Sequence, residues 1–120
     1  MNRKDGSSYN GSFVDGKRDG SGTETNKTGY KLKANWEKDT IVGDVKVLYS
    51  NGDQYEGKWD NHKRNGAGKI VYSNGDSFEG IWSNGRRYGK GIFTPKNGFA
   101  YSGKWTADKI SRLDKMLWNT

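Results

Sequence analysis

Polar and apolar residues alternate along much of this chain. In Tyr55-Glu56-Gly57-Lys58-Trp59, residues two apart share one face of an extended strand, so Tyr55, Gly57 and Trp59 lie on one side and Glu56 and Lys58 on the other. The next segment sorts in the same way, with Gly66, Gly68, Ile70 and Tyr72 on one face and Ala67, Lys69 and Val71 opposite. The pattern recurs with an unbroken step of 23 residues. Glycines fall at Gly6, Gly29, Gly52, Gly75 and Gly98. Three residues after each comes Tyr9, Leu32, Tyr55, Phe78 or Tyr101, and four further on comes Phe13, Trp36, Trp59, Trp82 or Trp105. A second series, Gly20, Gly43, Gly66 and Gly89, keeps the step, and a third, Gly22, Gly68 and Gly91, is broken only by Val45. Registers that coincide without an insertion define an array of β-hairpin repeats.

The links between units, Ser50-Asn51-Gly52 and Ser73-Asn74-Gly75, are turn sequences. A two-residue Asn-Gly turn would pair Val47 with Glu56 and put the aromatic faces out of step. A three-residue loop with Gly52 in the left-handed conformation pairs Val47 with Tyr55 and Gly43 with Trp59, so that every aromatic lands on one face. The three-residue loop is therefore expected. If the hairpin within each unit closes at residues 60–65, Trp59 also lies opposite Gly66, and its indole can lie flat across bare backbone.

The best copies read YEGKWDNHKRNGAGKIVYSNGD and FEGIWSNGRRYGKGIFTPKNG. Over about residues 6–105 the chain resembles the MORN family (membrane occupation and recognition nexus), whose signature is Tyr-x-Gly-x-Trp followed by a Gly-x-Gly pair. The resemblance implies an extended meander of β-hairpins. It also implies that any enzymatic activity belongs to domains joined to the repeats.

The expected fold is thus all-β, an elongated single-layer antiparallel meander of five 23-residue hairpins over residues 1–106, the second degenerate and the fifth incomplete. A short helix over 107–120 is expected to close it. Arg112 and Asp114 stand where glycines are due, while Ile110, Leu113 and Leu117 fall at helical spacing, with Thr106 as the N-cap and Trp118 near the end. Repeat two carries Leu32, Ala34 and Val45 in place of Tyr, Gly and Gly. It reads either as drift in a tolerant repeat or as a partner-specific pocket, and Val45 is expected to interfere with a flat Trp36.

Composition sharpens this picture. Ile, Leu, Val and Phe make up 18 of 120 residues, the net charge is +7 and the mean hydropathy is −1.12, values typical of disordered chains. Five Trp, seven Tyr and 18 Gly against one Pro argue against disorder and against a flexible linker. So little aliphatic side chain cannot fill a central core, but an array whose parts pack only on their neighbours needs less. With no Cys there are neither disulfides nor thiolate metal sites. No apolar run approaches the roughly 20 residues of a membrane span, and no signal-peptide core is present, so a cytoplasmic location is expected. His62, the sole histidine, sits in a hairpin tip and reads as a turn residue. The acids are scattered, no Ser pairs with a base, and the glycines open no helix. No catalytic site, cofactor or metal is therefore expected, and the chain reads as a non-enzyme.

A single-layer sheet has no second layer to cover its aromatic face, and a contiguous apolar patch of that size marks an interface. Tyr49, Tyr55, Trp59, Tyr72, Phe78, Trp82, Phe93 and Tyr101 are expected to anchor a peptide, a helix or a second copy of the chain. A homodimer would use that groove or the open N-terminal strand from Tyr9 to Phe13, near which only Arg3, Lys4 and Asp5 discourage pairing. The alternative is peripheral attachment to anionic phospholipid through basic hairpin tips, Lys17-Arg18, Lys63-Arg64 and Arg86-Arg87, a series broken by Thr40-Ile41. Nucleic acid is disfavoured, because the aromatics share a face with the glycines and not with the tips.

Overall fold

The protein is described by a computed structural model over residues 6–117. The odd strands β1 (Ser8–Val14), β3 (Lys31–Glu37), β5 (Gln54–Asp60), β7 (Ser77–Ser83) and β9 (Ala100–Thr106) have seven residues each. The even strands β2 (Lys17–Thr25), β4 (Thr40–Leu48), β6 (Lys63–Val71), β8 (Arg86–Thr94) and β10 (Lys109–Leu117) have nine. Their spatial order is their sequence order in one open antiparallel sheet. The sheet measures 51 × 24 × 24 Å, long along the array and coiled in cross-section.

Two kinds of turn alternate. The links between units are the expected three-residue loops: Gly52 N–H donates to the Tyr49 carbonyl at 3.0 Å with Gly52 at φ +97°, and Val47 faces Tyr55 across the ladder. At the other edge each hairpin closes with two residues at positive φ, as at Asn61 (48°) and His62 (64°), the mirror-image turn whose twist matches that of the flanking strands.

That tight tip shifts what faces what. Past the Gly57–Gly68 pair, three residues of β6 oppose one of β5, and the next partner of Trp59 is Arg64, not Gly66 as expected. Gly66, at φ +103° inside this bulge, supplies a backbone conformation that a side chain would make costly. Gly66 instead faces Trp82 of the next unit, as Gly20 faces Trp36 and Gly89 faces Trp105. The expected Gly43–Trp59 pair is missing from the ladder. Each bulge bends its hairpin and coils the sheet.

The other glycines make room for the first aromatic of the motif and not for the tryptophan. A Cβ on Gly68 would overlap the Tyr55 hydroxyl, one on Gly22 the Tyr9 hydroxyl, and one on Gly91 the Phe78 ring. The phenols turn back on their own strands, Tyr55 Oη donating to the Lys58 carbonyl at 2.6 Å and Tyr9 Oη to that of Ser12 at 3.1 Å. Repeat two solves the same packing differently. Leu32 is shorter than Tyr, and Ala34 and Val45, both buried, supply the methyl groups that fill the space. Val45 therefore does not disturb Trp36, which is equally buried.

The expected C-terminal helix is replaced by a strand. Ala107 and Asp108 form the same positive-φ turn as the other tips, Thr106 pairs with Lys109 instead of capping, and Ile110 faces Trp105. A lone helix of this length gains little without a packing partner, whereas a strand here pairs with β9 and covers Trp105. Lacking a glycine at 112, β10 absorbs the two extra residues in separate single steps. Trp118 at this end, and Arg3, Lys4 and Asp5 at the other, lie outside the described residues.

Candidate interaction surfaces

Because the hairpins bend over their aromatic side, that face is largely filled. Tyr9, Tyr55, Phe78, Trp82 and Trp105 are all 3% exposed or less. Each of three tryptophans packs edge-on against the first aromatic of the preceding unit: Trp36 on Tyr9 at 5.0 Å, Trp82 on Tyr55 at 5.9 Å and Trp105 on Phe78 at 4.8 Å. Of the eight expected anchors, Tyr55, Phe78 and Trp82 are therefore core and have no surface to offer. Tyr49, Trp59, Tyr72, Phe93 and Tyr101 are half-buried against that core. Burial raises the pKa of the Tyr49, Tyr55 and Tyr72 phenols, and it pushes that of Tyr30, which lies edge-on to Tyr49, up to about 12.

The basic pairs are split by the same bulge. Lys17, Lys63 and Arg86 are exposed at the tips, but Arg18, Arg64 and Arg87 turn onto the aromatic face. Arg64 lies 4.5 Å from the Trp82 ring and 5.5 Å from Tyr49, Arg18 lies 5.5 Å from Trp36, and Arg87 lies 5.7 Å from Phe78. Each also reaches the next tip, donating to the carbonyl of Asp39 (3.3 Å), Gly85 (2.9 Å) or Asp108 (2.7 Å). The Arg18 backbone N–H, helped by the guanidinium, holds the Asp39 carboxyl below the usual carboxylate range. These three arginines are structural clamps between units, and half of the expected basic stripe is therefore engaged within the fold.

One junction lacks the clamp. Ile41 stands at the arginine position of repeat two, and the β4–β5 ladder ends at Val45–Gly57, leaving the tip halves of both strands unpaired with each other. Trp59 has Leu32 where Trp36, Trp82 and Trp105 have a preceding aromatic ring. Its indole N–H finds no acceptor among the described residues, whereas that of Trp82 donates to the Gly68 carbonyl at 3.1 Å. The array thus has an open seam between its second and third hairpins.

The opposite face carries a groove of about 990 Å³ across β3–β7, with an adjoining hollow of about 250 Å³ beside Lys33 and Lys46. A row of directly paired residues crosses it: Lys33 to Lys46, Lys46 to Glu56, Glu56 to Lys69, and Lys69 to Glu79. Beside the row lie Lys31 and three exposed aliphatics, Leu48 (37%), Val71 (41%) and Ile81 (42%). Strand parity placed these residues outward, but nothing in the alternation marks a groove, which comes from the coiling of the sheet.

A one-layer stack of hairpins clamped tip to tip is the architecture of a β-hairpin repeat protein. The MORN repeat family model matches residues 9–29, 55–77 and 78–98, over half of the chain, and the chain belongs to the MORN-repeat family. No curated protein matches it. Membership suggests a repeat-based binding or scaffold role.

Proposed function

We propose that this chain is a non-catalytic scaffold whose five hairpins are all MORN repeats, the second and fifth diverged, and which holds a protein partner along its sheet. The observation that carries this reading is the groove across β3–β7, a concave surface that combines exposed aliphatics with charge. The half-buried rings of Tyr49, Trp59 and Tyr72 on the other face are a smaller contact surface. Attachment to anionic phospholipid is the weaker reading, because, of the six expected tip residues, Arg18, Arg64 and Arg87 are held by the next tip, which leaves Lys17, Lys63 and Arg86 exposed. Affinity capture with cross-linking from native lysate, run beside sedimentation with phosphatidylserine and phosphoinositide vesicles, tests the choice. A partner cross-linked to groove residues is expected. Salt-sensitive vesicle binding lost on reversing Lys17, Lys63 and Arg86, with no protein captured, would overturn the proposal.

A further inference from the structure

The row of paired side chains on the grooved face alternates in charge from Lys46 through Glu56 and Lys69 to Glu79, and breaks at one place. Lys33 lies directly opposite Lys46, and Lys31 follows two residues along the same strand and face. Like charges directly opposed on a sheet are unfavourable. None of the three lysines has an ion-pair partner among the described residues, and all three are exposed at one end of the groove. Lys46 also faces Glu56, and Asp44, ion-paired with Lys58 at 3.7 Å, lines the same end, but Lys31 and Lys33 face no carboxylate on either neighbouring strand. A fold needing only solubility could place any polar residue there; cations in excess beside an apolar strip suit an anion with an apolar neighbour.

We propose that this groove holds a short acidic segment of a protein partner, its carboxylates over Lys31, Lys33 and Lys46 and an apolar side chain over Leu48, Val71 and Ile81. The inference rests on the protein-scaffold reading above and names the chemistry of the partner. Of the carboxylates in the groove, Asp44 and Glu56 lie beside the lysines and Glu79 lies further along. A nucleic acid, negative at every phosphate, would meet those carboxylates, and a flat lipid surface would not enter a concavity. A peptide can put its acids at one end and neutral or basic residues at the other. Five strands at about 4.8 Å spacing span roughly 19 Å, room for about six extended residues.

The test separates binding from folding by a sign. Lys33→Glu turns the unfavourable pair into an opposite-charge pair, so this variant should unfold at a higher denaturant concentration than the parent and yet lose the ligand. A phage-displayed random dodecapeptide library is selected on the immobilised full chain. The recovered sequences should combine Asp or Glu with Leu, Ile or Phe, should bind the Lys33→Glu variant at least tenfold more weakly, and should weaken with added salt. A second variant, Leu48→Ser with Ile81→Ser, should lose them too while keeping the strand signature in circular dichroism. Recovery of basic sequences, of none, or of peptides that bind Lys33→Glu as well as the parent overturns the inference. A cellular partner captured equally by parent and Lys33→Glu would also overturn it while leaving the scaffold reading intact.

Discussion

Arg64 sits 4.5 Å from the Trp82 ring and donates to the Gly85 carbonyl at 2.9 Å, so one side chain joins the third hairpin to both the core and the tip of the fourth. Its neighbour Lys63 points to solvent. Two adjacent basic residues that look alike in the sequence therefore do different work.

Arg64→Ala should cost about 2 kcal/mol, from a cation–π contact of about 0.5–1 and a charge-assisted hydrogen bond of about 1.5 kcal/mol at a half-buried site. Lys63→Ala should stay within about 0.5 kcal/mol of the parent. Urea unfolding of both variants checks this, and equal midpoints would show that the clamp does not hold the units together.

Gly68→Ala puts a methyl group into the space of the Tyr55 hydroxyl and should cost about 3 kcal/mol, the upper end of the usual overpacking cost. In a Tyr55→Leu background the same change should cost far less, because Leu32 with Ala34 and Val45 already packs this way in repeat two. A double-mutant cycle measures the coupling; additive losses would reject the steric account.

Ile41→Arg should close the seam. The new guanidinium meets Trp59 and the His62 carbonyl as Arg64 meets Trp82 and the Gly85 carbonyl, and stabilisation of about 1 kcal/mol is expected. Amide hydrogen exchange gives the sharper readout: residues 40–44 and 58–60 should exchange fastest within the strands of the parent and slow down in the variant. Equal protection of these strands in the parent would mean that no seam opens.

Burial raises the phenol of Tyr30 to about 12 from an ordinary value near 10, and raises those of Tyr49 and Tyr72 as well. A phenol whose folded pKa lies above its unfolded one favours the fold fully below the unfolded pKa and loses that contribution as pH rises through the folded one. Tyr55 is raised further still, so stability should be level up to about pH 10 and fall as pH rises above it, Tyr30 contributing between about 10 and 12. Tyr30→Phe should flatten that fall, as read from the urea midpoint against pH. An unchanged slope would place the loss elsewhere.

What the sequence determined alone is what depends on local periods. Alternation assigned Tyr55, Gly57 and Trp59 to one face, the 23-residue step set the order of the strands, and the need to keep the aromatics together selected the three-residue loop at Ser50-Asn51-Gly52. All of these follow from the two-residue period of a strand. Tertiary structure decided what lies beyond that period. The two-residue tip turn and the bulge at Gly66 moved Arg64 opposite Trp59, which made clamps of three arginines expected at the surface. The bend then buried Tyr55, Phe78 and Trp82 and left the groove on the other side. Ile110 and Leu113 carry helical spacing, yet they form a strand because the waiting edge of β9 offers backbone partners that a solitary helix would not have. An alternation pattern records which side a residue takes; the curvature of the sheet sets whether that side is core, clamp or groove.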